Sequence, residues 1–194
     1  MIPTMTLLIL TALEVLNLVA GAEERQQEMR ARYIYQEVQE NWRLDPYGQR
    51  IQGSERTKTF DVIMLQGQRY RKMIARNGKP LTPAEQWEVE EDMKRVVEVR
   101  PATTSLRALA STHKLTLNGD TLEATSETKS HVFHFDPKTH EILRHTTQSG
   151  TTRMTIDYTR LPDGTTLPSQ VEVDFIVGDV HGIQRSTFTN FSLN

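Results

Sequence analysis

From His113 to the end of the chain, apolar and polar residues alternate with a period of two, broken by turn signals. That pattern admits little except hairpin-linked β-strands. Leu115 and Leu117 lead into Asn118-Gly119, a strong hairpin dipeptide, and Leu122 and Ala124 come back. His131, Phe133 and Phe135 share the next face, Asp136-Pro137-Lys138-Thr139 turns the chain, and Ile142 and Leu143 follow. Met154, Ile156 and Tyr158 then alternate with Arg153, Thr155 and Asp157. After Leu161-Pro162-Asp163-Gly164, Val171, Val173, Phe175 and Val177 alternate with Gln170, Glu172 and Asp174, and Gly178 and Gly182 bracket the last turn before the closing strand from Ile183 to Leu193. Seven such strands make an antiparallel sheet that is apolar on one side only. Twist curls a sheet of this size, so its concave apolar face must be covered or filled.

The chain before His113 supplies more strands and one cover. Arg32 to Leu44, Arg50 to Leu65 and Arg69 to Ala75 read as a three-stranded meander, with helix as the competing reading of the first. Leu81 to Arg100 then reads as a helix: Thr82 caps it, Pro83 suits its first position, Glu85 completes a capping box, and Pro101 stops it. Its apolar side is Trp87, Met93, Val96 and Val97, and its other side is acidic. The expected fold is mainly β with one long helix, an α+β chain whose strongly curved antiparallel sheet or incomplete β-barrel lies under a helical lid at about residues 82–99. One domain, residues 23–194, accommodates all of this.

A 194-residue chain with a formal charge of -2 lacks the basic field that non-specific nucleic-acid binding needs, so nucleic acid is excluded as a partner. It has no cysteine, hence no disulfide, no thiolate metal site and no lipidated N-terminal cysteine. Met5 to Ala20 is mostly apolar and ends at Ala20-Gly21-Ala22, a small-x-small pattern followed by polar residues. It reads as a signal peptide, residues 1–22, cleaved after Ala22. Glu14 interrupts the run and no base precedes Arg25; the competing reading is a helix of the folded protein.

The order of an apolar leader, a strand meander, one interposed helix and a run of hairpins resembles the periplasmic outer-membrane lipoprotein-sorting carriers, the LolA/LolB-like superfamily. Arg69 to Gln86, RYRKMIARNGKPLTPAEQ, and Phe135 to Gly150, FDPKTHEILRHTTQSG, look like segments of exported bacterial proteins of that broad group. The resemblance implies an incomplete β-barrel, a helical lid, an apolar cavity for acyl chains and a periplasmic location. No family site residue carries over position by position.

Chemistry is sparse by comparison. There is no G-x-S-x-G, no phosphate loop and no acidic pair in an acid/base setting, so the chain reads as a non-enzyme. His134, Asp136, His140 and His145 offer imidazole and carboxylate for zinc, but H-x-D on a strand lacks the fixed spacing of helical ligands. No metal and no cofactor are expected. The ligand-binding candidates are Trp87, Met93, Val96, Val97, Phe133, Phe135, Met154, Ile156, Tyr158, Val173 and Phe175, the apolar positions of helix and sheet. Arg69, Arg71, Lys72, Arg76 and Lys79 form a basic patch beside the helix, readable as edge-strand charge or as a contact for an anionic headgroup. The expected function is an exported, monomeric carrier of a hydrophobic ligand or lipidated protein, with peripheral membrane contact. The alternative is a structural or regulatory envelope module with a filled core and a protein partner.

Overall fold

The computed structural model describes residues 10–65, 68–93 and 106–194. The meander of the first half is β1 (Tyr33–Leu44), β2 (Arg56–Leu65), β3 (Gln68–Arg76) and the two-residue β4 (Lys79–Pro80). The second is β5 (Lys114–Asn118), β6 (Thr121–Thr125), β7 (Lys129–Phe135), β8 (Ile142–Ser149), β9 (Thr152–Arg160), β10 (Thr166–Val177) and β11 (Val180–Leu193). All belong to one antiparallel sheet in the order β4-β3-β2-β1-β11-β10-β9-β8-β7-β6-β5. Its two outer strands, β4 and β5, do not pair with each other, so the sheet is open rather than a closed barrel. The first long strand and the last join the two meanders, with Tyr33 opposite Leu193 and Leu44 opposite His181. The competing helical reading of residues 32–44 loses because β1 is flanked on both sides by strands that satisfy its backbone.

The helices differ more from expectation. The first, α1 (Ala12–Arg30), lies directly before β1 and spans the stretch read as the end of a leader. Thr11 caps it in a capping box: the Glu14 carboxylate accepts from the Thr11 backbone N–H at 2.7 Å, and the Glu14 N–H donates to the Thr11 hydroxyl at 3.3 Å. Glu14, which reads as a blemish in an apolar run, is therefore the residue that starts a helix, and its hydrogen bonds from Thr11 hold its carboxyl below the usual range. Val15, Leu16, Val19, Ala20 and Ala22 are buried on one side of α1. Val15, Leu16 and Val19 pack with Leu109, Leu122, Ala124, Phe133, Phe135 and Ile142 into the main core. A 3-10 turn, Leu106–Ala108, and the short α3 (Leu109–Thr112) close its side.

The second helix, α2 (Pro83–Met93), has the expected cap, with the Glu85 carboxylate accepting from the Thr82 N–H at 2.9 Å. In the described residues α2 lies along β3, tied by Arg76 to Glu85 and Lys72 to Glu90, both at 3.3 Å, and Trp87 is 65 % exposed. The helix covering β5 to β9 is α1. An amphipathic stripe specifies that a helix packs, not against what, and α1 precedes β1 so closely that it is held over the sheet. Residues 94–99 of the expected lid lie outside the described residues.

Hydrogen bonds fix α1 in place. The Gln26 amide donates to the Glu141 carboxylate at 2.8 Å, and its oxygen accepts from the Thr166 N–H at 2.8 Å. Arg107 pairs with Glu24 at 3.0 Å on the other flank. Burying Val15, Leu16 and Val19, each at 3 % exposure or less, contributes roughly 1.5–3 kcal/mol apiece. Cleavage after Ala22 would withdraw all three.

Candidate ligand site on the inner face

Directly paired strand residues point to the same side of an antiparallel sheet, so the registers trace the face that α1 covers. One row runs Phe133, His145, Ile156, Val171, Ser186, Gln39. The next runs His131, Thr147, Met154, Val173, Gln184, Asn41. Each row begins under α1, crosses an apolar middle and ends on polar side chains of β11 and β1. Three zones result.

The first zone is solid. Phe133 is fully buried and Phe135 is 4 % exposed, both packed in the α1 core. Behind Phe133 stands a histidine pair: His131 Nδ1 lies 3.1 Å from His145 Nε2, and the Thr147 hydroxyl is 3.3 and 3.1 Å from the same two nitrogens. The His145 ring stacks on Phe133 with centroids 4.3 Å apart. Burial pushes both imidazoles down to about 4, with the neighbouring His113 adding to the effect on His131 and His131 to that on His145. Tyr158 borders this zone, its ring beneath the Arg30 guanidinium at 4.9 Å. Burial raises its phenol to about 12, so it stays protonated.

The second zone is the apolar strip of Met154, Ile156, Val171, Val173 and Phe175 on β9 and β10. These side chains are half-buried and lie outside the cluster centred on α1. Phe175 lies over Gly182, where an added Cβ would stand 2.7 Å from its Cζ; glycine on β11 is what lets the ring lie flat on the sheet.

The third zone, on β1 to β3, is charged and internally paired. Arg71 forms a two-pronged bond to the Glu37 carboxylate at 2.6 and 2.7 Å, donates to Gln39 at 2.7 Å, and stacks over Phe60 at 3.5 Å. Arg69 donates to the carbonyls of Arg30 and Tyr33 at 2.9 and 3.1 Å, tying the end of α1 to β3. Tyr35 packs edge-on against Phe188 at 5.4 Å. The basic patch read from the sequence is thus largely divided among individual partners. Lys72 and Arg76 go to α2, Arg71 goes to Glu37, and Arg69 goes to backbone carbonyls.

Of the eleven expected ligand residues, the structure brings Phe133, Phe135, Met154, Ile156, Tyr158, Val173 and Phe175 onto one face. Phe133 and Phe135 serve there as packed core. Trp87 lies on the exposed side of α2, and Val96, Val97 and the Met93 side chain lie outside the described residues. The histidine set does not assemble: His134 meets Thr121 at 3.0 Å, and His140 stacks on Phe135 at 6.1 Å, away from His145. Among the described residues no three histidine or carboxylate groups converge. The residues that sequence reasoning missed are Val15, Leu16 and Val19, although Thr11 and Glu14 spell a capping box before them. A trough of about 340 Å³ on the outer face of β8 to β10 is lined by Arg144, Arg153, Asp157, Glu172 and neighbouring polar residues. It has none of the apolar lining an acyl chain needs.

An open antiparallel sheet with a helix over one end of its inner face defines the class: a curved-sheet protein with a helical lid. No protein-family profile and no curated protein sequence matches the chain. Among solved structures, it is similar to a putative outer membrane lipoprotein-sorting protein domain from Vibrio parahaemolyticus, at 10% identity and TM-score 0.49, covering 95% of this chain and 94% of that one. It is also similar to a LolA superfamily protein from Nitrosomonas europaea, at 9% identity and TM-score 0.43, covering 96% and 94%. A DUF1329 family protein from Desulfovibrio piger matches at 10% identity and TM-score 0.42, over 92% and 93%. The functional reading rests on this chain's own residues.

Proposed function

We propose that this chain is a non-enzymatic binding protein of the cell envelope that holds an acyl chain, or the acyl part of a lipidated protein, on the apolar strip beside the α1-covered core. The observation that carries the reading is the strip itself. Met154, Ile156, Val171, Val173 and Phe175 form a continuous half-buried apolar surface outside the α1 cluster, between a packed core and a polar rim. An acyl chain laid there gains about 0.8 kcal/mol per methylene removed from water, so ten methylenes supply about 8 kcal/mol before ordering costs. The polar residues of β11 and β1 would then stand at the headgroup end.

Native mass spectrometry with lipid extraction tests the reading on full-length protein purified from an envelope fraction. Co-purifying acyl lipid, lost in a Val173→Asp variant that still folds, is the expected result. Lipid-free protein in repeated preparations, with no uptake of added fatty acid or phospholipid, would remove it. The mass of the same material also tests cleavage after Ala22, which would require the exported form to build its core without residues 12–22.

One observation favours the alternative of a filled module with a protein partner: the α1-covered end is already solid, with Leu16, Val19, Leu122 and Phe133 at 0 % exposure. Under that reading, specific crosslinking to one envelope protein replaces lipid co-purification.

A further inference from the structure

Ten large apolar side chains are exposed among the described residues, and five of them sit at one end of the sheet. Tyr47 is 88 % exposed and Ile51 39 % in the loop after β1; Ile176, Val177 and Val180 are 45, 69 and 40 % exposed at the β10–β11 hairpin. The registers bring the two tips together. Leu44, at the end of β1, is paired with His181, which is also opposite Ile176, and Val177 is opposite Val180 across the turn. The Ile51 N–H donates to the Arg43 carbonyl at 2.9 Å, which folds the loop back onto the same end. Isolated exposed hydrophobes are ordinary; half of them gathered on two adjacent tips are not.

We propose that this end of the sheet docks on a lipid bilayer, with Tyr47 and Val177 entering the interfacial region. The inference deepens the acyl-binding reading by naming where the protein meets its lipid source. A bilayer suits this end better than a folded partner, because Tyr47 sits in the turn after β1 and Val177 and Val180 flank the Gly178-Asp179 turn, and such side chains enter a fluid interface without a complementary socket. The tips are also held rather than floppy: the Asp45 carboxylate accepts from the Tyr47 and Gln49 N–H groups at 2.9 and 2.8 Å. Tyrosine is well suited to the interface, its ring apolar and its hydroxyl wet. Near the tips Arg50 pairs with Glu55 at 2.9 Å and His181 Nε2 lies 2.7 Å from the Asp174 carboxylate, while the exposed Asp179 in the β10–β11 turn adds a negative charge that gives anionic lipid no advantage. Binding should therefore follow apolar insertion and respond little to salt or to anionic lipid.

The test is co-sedimentation of the full chain with phosphatidylcholine vesicles and with vesicles containing added phosphatidylglycerol, at low and high salt. Wild type is expected to bind both with similar affinity at both salt levels. Val177→Asp and Tyr47→Ser should each weaken binding at least about tenfold without changing thermal unfolding, since neither side chain is packed. No binding to either vesicle would overturn the proposal, as would binding only to anionic vesicles at low salt, or variants that bind like wild type. So would a sedimentation analysis in which Val177→Asp only turns a dimer into a monomer. Lipid co-purification with the two variants keeps the readings apart: lipid retained with vesicle binding lost supports the tip, whereas lipid absent from every preparation counts against the strip.

Discussion

Acidification is the perturbation to which this core should respond most sharply, because it holds two imidazoles with no carboxylate among their described hydrogen-bond partners to stabilise a positive charge. Burial is the main cause of both depressed values; the bases His113 and Lys129 add to it at His131, and His131 adds to it at His145. Each folded imidazole titrates near 4 against an ordinary 6.5. The unfolded chain therefore binds more protons between those values, and stability falls as pH drops from about 6.5 towards 4, then levels off. The shift corresponds to a loss of about 2 kcal/mol per imidazole between pH 7 and pH 5, or about 3 kcal/mol for the pair once coupling is allowed for. Against a total of roughly 5–15 kcal/mol, that is a large fraction. Urea midpoints at pH 7 and pH 5 measure it. His145→Gln should lose about half of the pH sensitivity, since it removes one of the two titrating rings. Equal pH sensitivity in wild type and His145→Gln would refute the reasoning. So would nuclear magnetic resonance midpoints near 6.5 for both rings, a measurement that needs no variant.

Leu16→Ala, at a fully buried position of α1, should destabilise the protein by roughly 3–5 kcal/mol in urea unfolding, where an exposed Leu18→Ala should cost under 1 kcal/mol. A chain starting at Glu23 lacks Val15, Leu16 and Val19 and should show no cooperative thermal transition, because the burial lost rivals the whole stability. A normal transition would place α1 outside the essential core. Gly182→Ala should push the Phe175 ring off β11, costing about 1–3 kcal/mol by calorimetry and reducing acyl-lipid retention if the strip holds the ligand.

The sheet was legible because strand patterning is local. Period two after His113, Asn118-Gly119 and the aspartate-led turn at Asp136 each commit a few neighbouring residues, and β5 to β11 follow in the expected order. The Asp136 turn closes for the reason its sequence suggests, the carboxylate accepting from the Lys138 and Thr139 N–H groups at 2.7 and 3.1 Å. The inner-face identities of Met154, Ile156, Val173 and Phe175 came with the same alternation. The histidine pair did not, since His131 and His145 are brought together by the β7–β8 register.

For the helices, the sequence determined where they begin and which side is apolar, and it did so through caps: Thr11 with Glu14, and Thr82 with Glu85. Only the tertiary structure decided what each helix covers. An apolar run such as Leu10 to Ala22 satisfies a leader peptide, a membrane surface or a protein core equally well, because the hydrophobic effect has no direction. Its burial became visible only when Val15, Leu16 and Val19 met Leu122, Phe133 and Ile142 across the sheet. Trp87, on the better-punctuated helix, met solvent. Strand pairing fixes which residues face inward, but which helix fills that face depends on chain connectivity, and α1 is delivered there by its junction with β1.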